Sequence, residues 1–171
     1  QLSNIEYIQA DILDLGKLEK KFHIIECVGV LHHMDHPLNG WKVLKNCLKK
    51  GGLMKIGLYS ELARQIILKI RDEIYKKNIG TSDIEMKSLR NNIINSNEEK
   101  YVTIKQSSDF YSMSELRDLI FHTKEHRFTI PQIQKTLLDL GLEFCGFESS
   151  LFTKKIEQIY GSHNLYNLKA W

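Results

Sequence analysis

Two short histidine-bearing segments stand out as places where this sequence could do chemistry. The first is His32, His33 and His36, three imidazoles within five residues. Imidazole titrates near neutrality and is a common metal ligand. The cluster has only Asp35 beside it, with no Cys at motif spacing. It is therefore expected to form a loop with one His facing a pocket, a general-base role for His33 and a metal site being the alternatives. The second segment, His122-Thr123-Lys124-Glu125-His126, matches the H-x-x-E-H pattern of some zinc peptidases. On a helix, residues four apart share a face, so both imidazoles could reach one ion. A third ligand from Glu143, Glu148 or Glu157 would complete such a site, the first two on or near an expected strand. The preferred expectation is no metal: His122, Glu125, His126 and Arg127 surround a substrate pocket, against the plainer alternative of a polar helix end. Tyr59 and Asp109-Phe110-Tyr111 are further pocket candidates, because aromatic faces attract cations. Trp41 lies on an apolar helical stripe and is expected to pack.

Those groups must be held by a folded scaffold. The chain has 171 residues, 42% hydrophobic and 26% charged, enough for a sizeable core. The 24 basic residues against 21 acidic ones leave a net charge of +3, and only five of the basic residues are Arg. Lys scattered among Glu and Asp argues against nucleic acid as the main partner. No apolar run approaches the roughly 18 residues needed to cross a bilayer, and no leader is visible. The three cysteines, Cys27, Cys47 and Cys145, form no CxxC pair. Three buried thiols in a reducing cytoplasm are expected, without a disulfide framework or cysteine zinc.

Hydrophobic periodicity orders the elements. Residues 4–10 alternate as a short strand. Residues 22–31 read as a strand buried on both faces. Pro37–Lys49 reads as a helix, with Leu38, Trp41, Leu44 and Leu48 in register, ended by Gly51-Gly52. Residues 53–59 form the next strand, completing a βαβ unit. Residues 61–78 are helical through Leu62, Ile66, Ile70 and Ile74. Capping boxes at Ser82/Glu85, Ser112/Glu115 and Thr129/Gln132 start three more helices. Residues 96–109 are a polar loop, and residues 142–148 a last strand.

The order of these motifs resembles the second half of class I S-adenosylmethionine-dependent methyltransferases. The likeness is carried by Ala10-Asp11-Ile12 at a strand end, the run 22–37, Gly51-Gly52, and the strand leading to Tyr59-Ser60. The run 121–129 resembles methyltransferase domains found beside tetratricopeptide arrays in bacteria. The resemblance implies an α/β, Rossmann-like, doubly wound and mainly parallel sheet with a helical insertion after its fifth strand. It divides the chain into core strands three to five (1–60), an insertion or lid (61–130), a core helix and strand six (131–150), and an incomplete C-terminal segment (151–171). Strands one, two and seven of that family have no counterpart, so Gln1 and Trp171 are both expected to be cut edges. The resemblance further implies S-adenosylmethionine as cofactor. It places Asp11 and Ile12 at the adenine, and Val28, Gly29 and Leu31 near the methionine part. His33, His122 and Glu125 become the catalytic candidates, and His32, Tyr59, Tyr111, His126 and Arg127 the pocket. The expected activity is methyl transfer to a small-molecule or protein acceptor in the cytoplasm, with tetratricopeptide repeats adjacent. The alternatives are an inactive methyltransferase-like interaction module and, more remotely, an H-x-x-E-H zinc hydrolase.

Overall fold

A computed structural model describes residues 3–122 and 124–171. The chain divides into two units, Gln1–Leu58 with Phe128–Trp171, and the insertion Tyr59–Arg127.

The first unit is α/β. Strand β1 (Phe22–Cys27) pairs in parallel with β2 (Leu48–Ile56), and helix α1 (Pro37–Cys47) connects them. Pro37 suits the first turn of α1 because its missing N–H would have no helical partner there. One face of α1 supplies Trp41 and Leu44 to a small core with Cys27 and Leu31. The register runs from Ile24↔Leu53 to Cys27↔Ile56, but breaks between Phe22 and Ile24. That break alters the reading of Gly51-Gly52. They do not end the helix, which stops at Cys47; they lie within β2, where the strand bulges.

Three strand expectations need correction. Residues 5–10 form no strand, and Ile5, Tyr7 and Ile8 are exposed. Alternation alone supplies no ladder partner for a backbone, and none is present among the described residues. The 22–31 run is strand only to Cys27, and Phe22 and Ile24 remain exposed rather than buried on both faces. Residues 142–148 are also not a strand. There the aromatic rings decide: Phe147 meets Phe144 and Trp171 edge-on, each at 5.0 Å. Helix α6 (Ile130–Leu140) carries the Thr129/Gln132 capping box, and Gly141 closes it at φ 63°, a left-handed position that favours glycine. Helix α7 (Ser150–Tyr160) follows and buries none of its residues. Cys27 and Cys47 are buried, but Cys145 is exposed, since its segment never joins a sheet.

The insertion is helical. Two-residue strands β3 (Tyr59–Ser60) and β4 (Arg127–Phe128) pair at its ends. Helix α2 (Gln65–Lys76) buries Ile67, Ile70 and Ile74, whereas Leu62 precedes the helix and is exposed. The expected stripe therefore starts a turn later. Helix α3 (Asp83–Asn95) has the full Ser82/Glu85 capping box and buries Met86, Leu89 and Ile93. The expected loop 96–109 instead contains a 3₁₀ turn at Glu99–Tyr101, helix α4 (Val102–Lys105) and a second 3₁₀ turn at Ser108–Phe110. Its polar residues concealed two anchors, Tyr101 and Ile104, which enter the core together with Phe110 just after it. Helix α5 (Met113–Phe121) begins with the Ser112 hydroxyl accepting from the Glu115 N–H. Among the described residues no helix is long and apolar enough to cross a membrane.

Candidate functional site

In the first unit, the carboxyl end of β1 leads into Val28 and Gly29. Open α/β sheets bind ligands at such ends. Gly29 has φ +77°, and nothing of the chain lies within 4 Å of where a Cβ would project. Val28 is exposed as well. The backbone here borders open space, which a ligand could approach closely. Leu31 is different: it is fully buried in the unit's own core. His32 and His33 follow in a 3₁₀ turn over Leu31–His33. His32 is buried, its Nδ1 3.3 Å from the Gly57 carbonyl oxygen. That contact fits an N–H donor at Nδ1.

Asp11 caps the 3₁₀ segment Ile12–Leu18, its Oδ1 accepting from the Leu13 N–H at 2.8 Å. The cap uses one oxygen of an exposed carboxylate, leaving Oδ2 without a hydrogen bond among the described residues. Capping and presenting an acceptor to a ligand are therefore compatible roles for this side chain.

The insertion contains a buried charge cluster. The Glu125 side chain is 1% exposed. Arg64 donates to it from Nε at 3.0 Å and from Nη2, a two-pronged arrangement suited to a carboxylate. Arg71 donates from Nη2 at 2.8 Å, and Arg127 Nη1 stands 3.9 Å away. Arg71 Nη2 also donates to the Leu119 carbonyl at 2.9 Å, tying the end of α5 to α2. Burial pushes the Glu125 carboxyl upward, but Arg64 and Arg71 outweigh it and hold the group below its ordinary value. A carboxylate held this way accepts a proton poorly and anchors its segment well.

This anchoring requires a non-helical backbone. Helix α5 stops at Phe121, and His122 is extended at φ −64°, ψ 131°. Thr123 lies outside the described residues. The helical face expected for H-x-x-E-H therefore does not form, and the peptidase geometry falls with it. His122 Nε2 lies 3.8 Å from Asp118, and His126 is half-buried. Arg127 is paired with Glu61 at 3.0 Å.

Tyr59 stacks under Arg64, whose Cζ is 4.0 Å from the ring centroid. Burial raises the Tyr59 phenol above its usual range, against the opposing charge of Arg64. Tyr59 and Arg64 line a cavity of about 280 Å³ with Asp109, Ser114, Glu115, Asp118 and Leu119. Tyr111 turns to a structural contact, its hydroxyl donating to the Lys105 carbonyl at 3.0 Å. Arg64, Arg71, Asp118 and Glu115 were not anticipated from the sequence. One signal was available: Arg is scarce in this Lys-rich chain, and three of its five arginines gather around Glu125.

Residues 1–56 match a family model described as a methyltransferase domain. An uncharacterised protein of Synechococcus sp. is 26% identical over 155 residues, covering 84% of this chain and 36% of that protein. A tRNA U34 carboxymethyltransferase of Campylobacter fetus is 42% identical over 50 residues, covering 29% of this chain and 18% of its own length. The protein of that name from Campylobacter jejuni is 35% identical over 74 residues, or 43% and 25% of the two chains. This chain thus spans little more than a third, at most, of the length of these relatives, and its first third is similar to a methyltransferase domain.

Proposed function

We propose that the chain is part of an S-adenosylmethionine-dependent methyltransferase in which the first unit contributes to cofactor binding and the insertion to acceptor binding. The observation that carries this reading is the coincidence of the methyltransferase-domain match over residues 1–56 with the parallel β1–α1–β2 unit. The open backbone at Val28-Gly29 and the uncommitted acceptor oxygen of Asp11 fit a ligand with an adenine-like edge and a slender polar arm. Asp11 and the Ile12 amide would hold the former, and Val28 and Gly29 the latter. The cofactor, when bound, supplies an electrophilic methyl group. The protein's own part is alignment and exclusion of water around the acceptor. His33 and His122 are the groups proposed to take up the acceptor's proton, with Glu125 moved to an anchoring role because two arginines occupy its oxygens.

The name of the Campylobacter proteins raises tRNA as an acceptor. The scattered Lys residues and the acidic lining of the insertion cavity favour a small molecule or a protein side chain instead.

The test is cofactor binding to the full-length native protein, measured by equilibrium dialysis with labelled S-adenosylmethionine. Asp11→Ala is expected to weaken binding at least tenfold, or ~1.4 kcal/mol, and Gly29→Val to abolish it. Saturable binding lost in both variants supports the reading. Absence of binding in the unsubstituted protein overturns it in favour of an interaction module.

A further inference from the structure

One residue ties down both ends of the loop that follows β1. Residues 28–31 leave the end of β1 and pass into the 3₁₀ turn Leu31–His33. Gly57 lies just beyond the end of β2. Its N–H donates to the Cys27 carbonyl at 2.9 Å, and its carbonyl oxygen is the partner of His32 Nδ1 at 3.3 Å. A short loop pinned at each end leaves its backbone few conformations. Here that backbone includes Gly29, whose outer side is open.

Packing makes the same connection independently. A methyl group added at Gly57 would stand 2.8 Å from Val28 Cγ1 and 3.1 Å from Val28 Cα. Val28 therefore rests on position 57 at a separation that only glycine permits. His32 is 3% exposed, so its ring serves the chain's own structure and not an open pocket. A buried imidazole N–H facing a carbonyl oxygen is costly to remove, because it leaves that oxygen without its donor. The same ring meets His33 edge-on, with centroids 4.2 Å apart, and so also borders the imidazole assigned the acceptor's proton above.

We propose that His32 is a positioning residue: by holding residues 28–31 against Gly57, it sets the backbone of Val28 and Gly29 for the cofactor. That the ligand so positioned is S-adenosylmethionine rests on the function proposed above; the clamp on the loop does not.

The experiment takes the full-length native protein through two measurements, amide hydrogen exchange without cofactor and equilibrium dialysis with labelled S-adenosylmethionine. His32→Ala removes the donor. His32→Asn returns an N–H near the place of Nδ1, whereas His32→Gln puts its amide near that of Nε2. Gly57→Ala keeps the hydrogen-bonding groups and crowds Val28. His32→Ala and Gly57→Ala are each expected to speed exchange over residues 28–34 and to weaken cofactor binding, both about tenfold. His32→Asn should restore both to within about threefold, and His32→Gln should not. Exchange in α1 and α6 should stay unchanged, since the loss is local. A ring that only fills space would be replaced better by Gln than by Asn. The proposal is overturned if residues 28–34 exchange as before in both His32→Ala and Gly57→Ala, or if α1 and α6 accelerate equally. It is also overturned if Gln restores as well as Asn, or if cofactor binding is unchanged while exchange rises. Should the unsubstituted protein bind no cofactor while exchange responds as expected, the function proposed above falls and the clamp stands.

Discussion

The two units satisfy their apolar residues in different ways. The insertion gathers eleven buried side chains from α2, α3, α5 and the turns between them into one cluster, so most of its apolar stripe is spent internally. The first unit is longer, yet among the described residues its cluster has four buried members, ringed by partly covered ones. Its β1–β2 pair leaves Ile24 70% and Leu53 59% exposed. The helical insertion can close its core with neighbours near in sequence. The parallel pair needs cover from elements distant in sequence, and a two-stranded sheet has little of it. Self-sufficiency here follows secondary-structure type rather than length.

The largest expected effect tests whether the insertion's charge cluster is integral to that closure. Glu125→Gln leaves Arg64 and Arg71 buried without their counter-ion and should cost about 3–5 kcal/mol. Hydrogen exchange should locate the loss in the amides of Tyr59–Arg127. Protection lost equally in β1 and β2 would break the distinction between the units. Next comes a pair of truncations. Ile70 is 1% exposed. Its replacement, Ile70→Ala, should cost roughly 2–5 kcal/mol. At the exposed Ile24, Ile24→Ala should change stability by no more than about 0.5 kcal/mol in denaturant unfolding. Similar costs at the two positions would show that the β1 face is covered in solution.

Helix caps sharpen the comparison on a smaller scale. Ser82→Ala in the insertion and Thr129→Ala in the first unit should each cost ~1 kcal/mol, since each removes half of a formed capping box. Unequal values, read by urea unfolding, would rank the two units by how cooperatively they melt. The smallest effect is a pH dependence confined to the insertion. Burial would raise the Glu73 carboxyl, but Lys100, Lys77 and the Tyr101 hydroxyl bring it down to about 2 from an ordinary 4.5. A depressed carboxyl contributes stability that is present above the unfolded value and lost as pH falls through the folded one. The Glu73 contribution should therefore be lost from about pH 4.5 towards 2, and Glu73→Gln should make the acid slope shallower without abolishing it, since Glu125 is depressed as well.

Sequence patterning was informative where structure is local. The Ser82/Glu85 and Thr129/Gln132 boxes sit where the residues placed them, because a cap depends on three or four adjacent side chains. The βαβ order was legible from one apolar run, one amphipathic helix and one further strand. Strands without a partner were not: residues 4–10 and 142–148 have suitable composition, but a strand exists only with a second one beside it. The site divides similarly. Gly29 follows the end of β1 as the sequence order implied, whereas Asp11 caps the 3₁₀ segment Ile12–Leu18 instead of ending a strand over 4–10. The Arg64–Glu125–Arg71 cluster joins residues 61 and 54 positions apart, a pairing that no local pattern contains. The H-x-x-E-H spacing, the remote alternative, implies a shared face only on a helix, and His122 is extended.

The pairing of β3 with β4 brings the first and last residues of the insertion together. A segment that leaves and returns at one point behaves as a cassette. It can be lengthened, shortened or exchanged without altering the distance that the rest of the chain must span. On the function proposed above, acceptor preference would diversify by replacing Tyr59–Arg127 as a block, with Asp11 and Gly29 left in place. A chimaera carrying another insertion, joined at Tyr59 and Arg127, is the natural design by which to exploit that arrangement.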